Sequence, residues 1–215
     1  MAEELKIGTA EEREALAEQA LTDESLVDAL AQEIAGSSRI RRQKAASTVA
    51  LIADKDASVL LPYADDIASG LTKPEAQTRW EVLHALDQMG KAGQRYDEDV
   101  LVAAEDSLYD ETNGFVREAA FHFFCGYGSA SVDNSEEVWT QIDEAIQCYH
   151  GNPEFTDMLM QLVAFAEGNI SLATSSALAQ RMKFDSENAS GTLRMRSEQI
   201  VAAHKKRLEL SLIHI

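Results

Sequence analysis

Apolar residues recur along this chain at helical spacing, and the whole pattern returns after about 38 residues. In three segments an arginine (Arg42, Arg79 or Arg117) is followed by apolar residues three, four and seven positions later and by a small residue at the eleventh. A fainter fourth segment begins at Asp157. A fixed period of this length is typical of stacked helical repeats, in which neighbouring helix pairs cover one another's apolar faces. The residues that share a register are Ala45, Val82, Ala120 and Met160 at the third position, and Val49, Leu86, Phe124 and Ala164 at the seventh.

Helix start and stop signals divide the chain further. Capping residues, prolines and glycines between the apolar runs predict helices 9–21 and 22–36, then four repeats, each with a first helix (helix A) and a second helix (helix B). We expect an acidic amino-terminal helix pair that serves as a capping repeat (1–36), four repeats (37–184), and a linker with a carboxyl-terminal capping helix and an apolar tail (185–215). The tail has two interpretations: it packs against the capping helix, or it is a non-native extension. The predicted repeat helices are 39–53 and 57–71, 74–89 and 97–109, 115–127 and 136–149, and 154–166 and 171–184, followed by a basic helix 193–210.

The repeats resemble those of the HEAT family. The segments 40–46 and 116–120 resemble the core of its first helix, and 59–63 resembles a frequent opening of its second helix. The resemblance covers residues 37–168, although the fourth segment lacks the arginine and the third has a long internal turn. It implies an all-α, right-handed solenoid of stacked antiparallel helix pairs with the B helices on the concave side. It also implies a binding scaffold or adaptor.

An enzyme is the alternative interpretation, because some HEAT-like families are enzymes that act on a small molecule or on nucleic acid. The hydroxylase branch carries repeated His-Glu pairs that hold iron, and the sequence has none. The DNA glycosylase branch needs a basic concave face, which the acidic central repeats contradict. Nothing marks a chromophore pocket of the kind that bilin lyases need. We therefore expect a non-enzymatic protein without a cofactor.

Charge is unevenly distributed along the chain, which carries a formal net charge of -18. Residues 1–36 hold ten acidic and two basic residues, and residues 76–168 hold eighteen acidic and four basic residues. Such a surface repels phosphate backbones and attracts cations. The charge therefore disfavours general nucleic-acid binding and predicts a basic protein or peptide as the partner.

Acidic pairs occur at one equivalent position of three successive B helices, 40 and 38 residues apart. Each pair follows an apolar residue, so the pairs are expected to line one side of the B-helix layer, where stacked helices lie about 8–10 Å apart. This row has two main interpretations: an acidic track that binds a partner, or a helix face that is simply solvated. A divalent-metal site is a third, lesser interpretation. Trp80 shares its column with polar Gln43 and Glu118, so we expect it to be exposed and to anchor a partner. The acidic pairs are Asp65 and Asp66, Glu105 and Asp106, and Asp143 and Glu144.

Other candidate residues favour structural roles. The column Arg42, Arg79 and Arg117 lies near helix amino ends, where a cation opposes the helix dipole and needs a carboxylate from a neighbouring repeat. The basic run 39–44 is expected to pair with the acidic amino-terminal helices. His84 and His122 lack a third ligand for a metal site and are expected to be packing residues.

Cysteine usage and hydropathy add two expectations. Cys125 and Cys148 have no metal-ligand spacing, and we expect two buried thiols. The amino terminus lacks the basic-then-apolar order of a secretory signal, and no apolar run approaches the roughly 18 residues of a membrane span. We therefore expect a cytoplasmic protein that does not bind membranes.

Overall fold

The computed structural model describes residues 5–213, and in that part of the chain every regular element is helical. The amino-terminal helices and the first two repeats contain α1 (Ala10–Ala20), α2 (Glu24–Ala35), α3 (Arg39–Asp56), α4 (Ala64–Ala68), α5 (Ala76–Lys91) and α6 (Glu98–Leu108). The remainder contains α7 (Gly114–Ala130), α8 (Val132–Glu137), α9 (Trp139–Tyr149), α10 (Phe155–Glu167), α11 (Leu172–Asn188) and α12 (Gly191–Ile213). Two 3₁₀ segments, Ala57–Tyr63 and Ser69–Thr72, flank α4.

Side-chain caps set several of these boundaries. Thr9 and Glu12 form a reciprocal capping box at the start of α1, with the Thr9 amide donating to Glu12 Oε2 over 2.8 Å. Asp97 accepts from the Val100 amide at the start of α6, and Ser171 accepts from the Thr174 amide at the start of α11. These side chains satisfy amide groups that a helix leaves without an internal partner, which explains why the sequence located these helix starts well.

The first repeat departs from the predicted helix pair. The turn predicted at 54–56 is the last turn of α3, and only the short α4 is regular helix within the predicted helix B. Pro62 lies in the first 3₁₀ segment and lacks the N–H that an α-helix interior requires. Regular helix therefore begins only after it, at Ala64.

Two segments that looked like loops are helical. The polar turn predicted at 129–135 contains the start of α8, which Ser131 caps by accepting from the Asn134 amide. The linker predicted to begin at residue 185 shrinks to Ala189 and Ser190, because α11 continues to Asn188 and α12 starts at Gly191. Gly191 has a positive φ of 61°, which lets the chain turn sharply between these helices.

The chain divides into two compact units, residues 1–120 and 121–215. In the amino-terminal unit, α3 packs against α1, α2 and α5. The helices α3 and α5 bury residues at the same seven positions after their leading arginines Arg42 and Arg79. This shared register is the structural form of the sequence repeat, and it leaves the remaining positions of each helix for polar contacts.

In the carboxyl-terminal unit, the fourth repeat has a different register from the one predicted. Met160 is 53% exposed and Ala164 is also exposed, whereas Met158, Leu159 and Leu162 are buried. The buried positions fit a repeat that begins at Phe155, which is 38 residues after Arg117 and is buried. The leading position of the fourth repeat is therefore occupied by an aromatic residue, and the predicted start at Asp157 is wrong by two residues.

The last helix packs on α10 and α11. Ile200 is buried in this contact, and the Arg207 guanidinium donates to the carbonyls of Ala166, Gly168 and Ile170 at 3.1, 2.6 and 3.0 Å. A cation at the carboxyl end of α10 satisfies carbonyls that the helix leaves open and favours its dipole. The basic helix is thus held by a specific polar contact as well as by apolar burial. Leu208 and Leu210, near its end, are exposed, and residues 214 and 215 of the apolar tail lie outside the described part of the chain.

Gly70 provides a test of the packing in the amino-terminal unit. A methyl group added there would place its carbon 2.7 Å from Val82 Cγ2 and 2.9 Å from Ile34 Cγ2, two fully buried side chains. We expect Gly70→Ala to lower the free energy of unfolding by about 1–3 kcal/mol, measured by urea titration. Gly8→Ala is the comparison variant, because its new methyl would meet only Glu12 Oε2, and displacing that atom costs at most the surface hydrogen bond from the Thr9 amide, about 1 kcal/mol or less. Equal stabilities of the two variants would contradict close packing at Gly70.

Candidate functional site

Two of the predicted acidic pairs lie in the amino-terminal unit. Asp65 and Asp66 are exposed on α4, and Asp106 is exposed on α6 beside the half-buried Glu105. The helix α6 packs against the 3₁₀ segment that follows α4. The side chains of Asp65, Asp66 and Asp106 form no ion pair with other residues in the described range 5–213, so their charge is available to solvent or to a partner.

The helices aim these carboxylates away from the core. On α4, the buried residues Ala64, Ile67 and Ala68 flank the acidic pair, and α4 packs through this side against α2 and α5. On α6, Ala104 and Leu108 are buried on either side of Glu105 and Asp106. Helical periodicity then places the acidic residues on the outer side.

The third acidic pair, in the carboxyl-terminal unit, is different. Asp143 on α9 is half-buried and accepts two hydrogen bonds from Arg181 on α11, from Nε at 2.7 Å and from Nη2 at 2.8 Å. The hydrogen bonds that Arg181 donates to Asp143 raise the pKa of the guanidinium, which stays charged. Glu144 is exposed. Asp143 therefore already holds a cation of its own chain, Arg181.

Arg181 was not singled out in the sequence, although the repeat spacing contains it. It lies 38 residues after Asp143, which is the equivalent position of the next helix B.

Around the ion pair between Asp143 and Arg181 lies a groove of about 400 Å³, which we call the α9–α11 groove. Its lining residues are Trp139, Asp143, Ala177, Gln180 and Arg181.

Trp80 is half-buried and lies on α5, a different helix from those that carry the acidic pairs. Its ring meets that of Phe115 edge to face, with centroids 5.8 Å apart. Phe115 is 71% exposed. The Trp80 ring thus packs against the exposed ring of Phe115.

The arginine column joins successive repeats. Arg42 is buried and pairs with Glu75, the residue before α5, with Nε 3.2 Å from Oε2. It also donates to the Gly36 carbonyl, just before α3, over 2.9 Å. The hydrogen bond from Arg42 lowers the pKa of Glu75, although burial by itself would raise it. One guanidinium therefore links the starts of two A helices.

In the next repeat, Asp110 pairs with Arg79 as Glu75 pairs with Arg42. Its Oδ2 pairs with Arg79 at 2.6 Å, its Oδ1 accepts from Thr112 and from the Asn113 amide, and its carbonyl accepts from Arg117. Burial would raise the pKa of Asp110, but the hydrogen bonds from Thr112 and Arg79 outweigh it and lower the pKa to about 2. The loop between α6 and α7 is thus organised around one ionised carboxylate.

Basic side chains pair with acidic residues elsewhere in the amino-terminal unit. Arg41, within the basic run 39–44, pairs with Glu33 of α2 at 2.7 Å, the kind of contact expected for that run. Lys55 of α3 lies between Glu14 and Glu18 of α1, at 3.0 and 2.6 Å. These contacts tie α1 and α2 to α3.

The remaining candidates have ordinary surroundings. His84 shares a hydrogen bond of 2.6 Å with Asp54, and His122 is half-buried. Cys125 is buried as expected, whereas Cys148 is exposed, which corrects that prediction. Residues 5–213 contain no cluster of three or more His, Cys, Asp or Glu side chains arranged to hold a metal ion. Within the same range, none of the helices combines the length and apolar character that a membrane crossing needs.

Comparisons with known proteins bear on the fold. No protein-family model and no curated protein sequence matches the chain. Among solved structures, it is similar to a computationally designed armadillo repeat protein for modular peptide recognition, with a TM-score of 0.63 and 11% identity over 93% of this chain and 96% of the other. A designed armadillo repeat protein in complex with the peptide (KR)4 has the same TM-score and identity over 90% and 92% of the two chains. A third structure, described only as an engineered protein, has a TM-score of 0.61 and 15% identity over 91% and 90%.

These similarities confirm the all-α repeat fold of helical solenoids. At such low identity they support the fold alone. The HEAT family in particular is not singled out by them.

The low pKa of Asp110 gives a prediction about acid stability. The ordinary aspartate pKa of about 3.9 applies to the unfolded chain, so the folded-state pKa is depressed and the ionised carboxylate stabilises the fold above about pH 4. That contribution, about 2 kcal/mol, is lost as the pH falls from about 4 to about 2. We expect Asp110→Asn to lower the free energy of unfolding by this amount at pH 7, with the difference from wild type shrinking towards pH 2.

Urea unfolding at several pH values measures this difference. The matched control is Asp106→Asn, at an exposed position of the same region, which we expect to change stability by less than about 0.5 kcal/mol at every pH. A pH-independent effect of Asp110→Asn would show that the carboxylate charge does not stabilise this loop.

Proposed function

We propose that this chain is a non-enzymatic scaffold that binds a basic protein or peptide on the acidic surface formed by α4 and α6. The observation that carries the proposal is the exposure of Asp65, Asp66 and Asp106, three carboxylates without an ion-pair partner in residues 5–213. One similar structure, a designed armadillo repeat protein, is in complex with the peptide (KR)4, whose composition is basic. A helical repeat scaffold with acidic B-helix positions is suited to the same class of ligand.

The physical basis is a long-range field with short-range contacts. A net charge of -18 attracts cationic segments and speeds their encounter, while the Debye length of about 8 Å at physiological salt limits the field to the vicinity of the surface. Exposed carboxylates then bind lysine or arginine side chains directly. Affinity gained in this way falls as salt increases.

We further propose that the repeats are of the HEAT class. The support is the leading arginine of the first three repeats, Arg42, Arg79 and Arg117, together with the common buried register of α3 and α5. Arg42 and Arg79 use this position to bind a carboxylate in the connection to the following repeat.

The scaffold proposal predicts the effect of neutralising the acidic surface. A variant with Asp65→Asn, Asp66→Asn, Glu105→Gln and Asp106→Asn keeps the side-chain shapes but removes four charges. We expect its affinity for the peptide (KR)4 to fall about ten-fold or more at low salt, and the dependence of affinity on salt to become shallower. Titration calorimetry at about 50 and 300 mM salt measures both quantities.

The control removes four charges elsewhere, by amide substitution of exposed residues in the carboxyl-terminal unit. If the effect comes only from net charge, both variants weaken binding equally, and the α4 and α6 surface is then not the binding site. No measurable binding of (KR)4 by the wild-type chain would contradict the proposal itself. The control positions are Asp133, Glu136, Asp157 and Glu187.

A further inference from the structure

The α9–α11 groove contains a carboxylate that is engaged by the chain's own arginine. Asp143 accepts from Nε and Nη2 of Arg181 in a two-point arrangement that matches a guanidinium and not an ammonium group. The pair lies near the surface, with 38% of the Arg181 side chain exposed and 21% of the Asp143 side chain exposed. Because both side chains reach solvent, an incoming guanidinium can take over the same two-point contact, and this exchange leaves Asp143 paired.

The groove offers an aromatic surface in addition to its one carboxylate, Asp143. Trp139 lies four residues before Asp143 on α9, so the indole and the carboxylate share a helix face. Trp139 is half-buried, which leaves part of it as a wall of the groove. An aromatic surface beside a carboxylate is the combination that recognises a guanidinium group, through stacking and paired hydrogen bonds.

We propose that Trp139 and Asp143 form a subsite for an arginine side chain of a basic partner, and that Arg181 is its intramolecular competitor. The proposal rests on the proposed function, since it assumes a basic peptide ligand, but it concerns a separate surface on the carboxyl-terminal unit. Arg181 shows the geometry that the incoming guanidinium adopts. Because Arg181 must first leave, it weakens binding at this subsite and sets a requirement for arginine over lysine.

The experiment compares wild type with Arg181→Ala, using the peptide (KR)4 and octalysine as probes of equal charge. We expect the substitution to increase affinity for (KR)4 about three- to ten-fold, since the ion pair between Arg181 and Asp143 no longer has to be broken. Octalysine should gain less, because an ammonium group cannot make the two-point contact. Arg181 is exposed, so the fold should be retained, and circular dichroism checks this.

Two further variants separate the subsite from general charge effects. Lys183→Ala, two residues along the same helix, makes the same charge change and should alter affinity less than about two-fold. Adding Asp143→Asn to Arg181→Ala should remove the gain. Equal gains in Arg181→Ala and Lys183→Ala, or an undiminished gain in the double variant, would overturn the proposal.

The results also distinguish this inference from the scaffold proposal. If wild type binds (KR)4 through α4 and α6 but Arg181→Ala changes nothing, the subsite is wrong and the scaffold surface stands. If wild type does not bind but Arg181→Ala does, the α4 and α6 surface is wrong and the subsite stands. Absence of binding by both forms overturns both.

Discussion

The buried ion pair between Arg42 and Glu75 fixes how the first repeat connects to the second, and the rest of the repeat stack depends on contacts of this kind. It lies where two A helices begin, and Arg42 also binds the Gly36 carbonyl before its own helix. Removal of one partner would leave a buried charge, at a cost of about 3–5 kcal/mol. Arg79 and Asp110 repeat the arrangement, and the Asp110 carbonyl extends it to Arg117. Apolar burial alone is non-directional, so these charged contacts give each connection a defined path.

The sequence predicted the repeat fold because stacked helices must bury residues at a fixed register, and that register is visible in α3 and α5. It failed where polar contacts replace apolar ones. The helix α8 buries Asn134 and Ser135, and Asn134 satisfies its amide by donating to the Tyr127 carbonyl at 3.0 Å. Such a helix has no apolar period to find. At Pro62 the prediction failed for a different reason. This residue lacks the N–H that an α-helix needs, and the expected start of helix B forms a 3₁₀ segment instead.

The candidate site was predictable only in part for a related reason. The spacing of Asp65 and Glu105 places acidic residues at equivalent B-helix positions, and the buried residues Ala64 and Ala104 orient them. Whether a carboxylate is free to bind a partner depends on contacts from the next repeat. The sequence period shows which residue of that repeat is equivalent, but it does not show whether the two side chains meet. Arg181 occupies the position 38 residues after Asp143, and only the structure shows the two joined. Local sequence therefore identified the acidic helices, while the tertiary contacts decide which charges remain unpaired.

The distribution of charge gives the acidic surface a thermodynamic role beyond recognition. Several of the chain's bases are used in internal pairs with carboxylates, and most acidic residues of the described range are exposed. The acidic excess therefore lies largely at the surface, where like charges repel and destabilise the compact state. Added salt screens that repulsion and stabilises the free chain, yet it weakens the attraction of a basic ligand. A ligand that binds only the folded chain stabilises it by mass action. Partner binding and salt are therefore alternative ways of relieving the same repulsion. The bases in internal pairs include Arg41, Arg42, Lys55, Arg79 and Arg181.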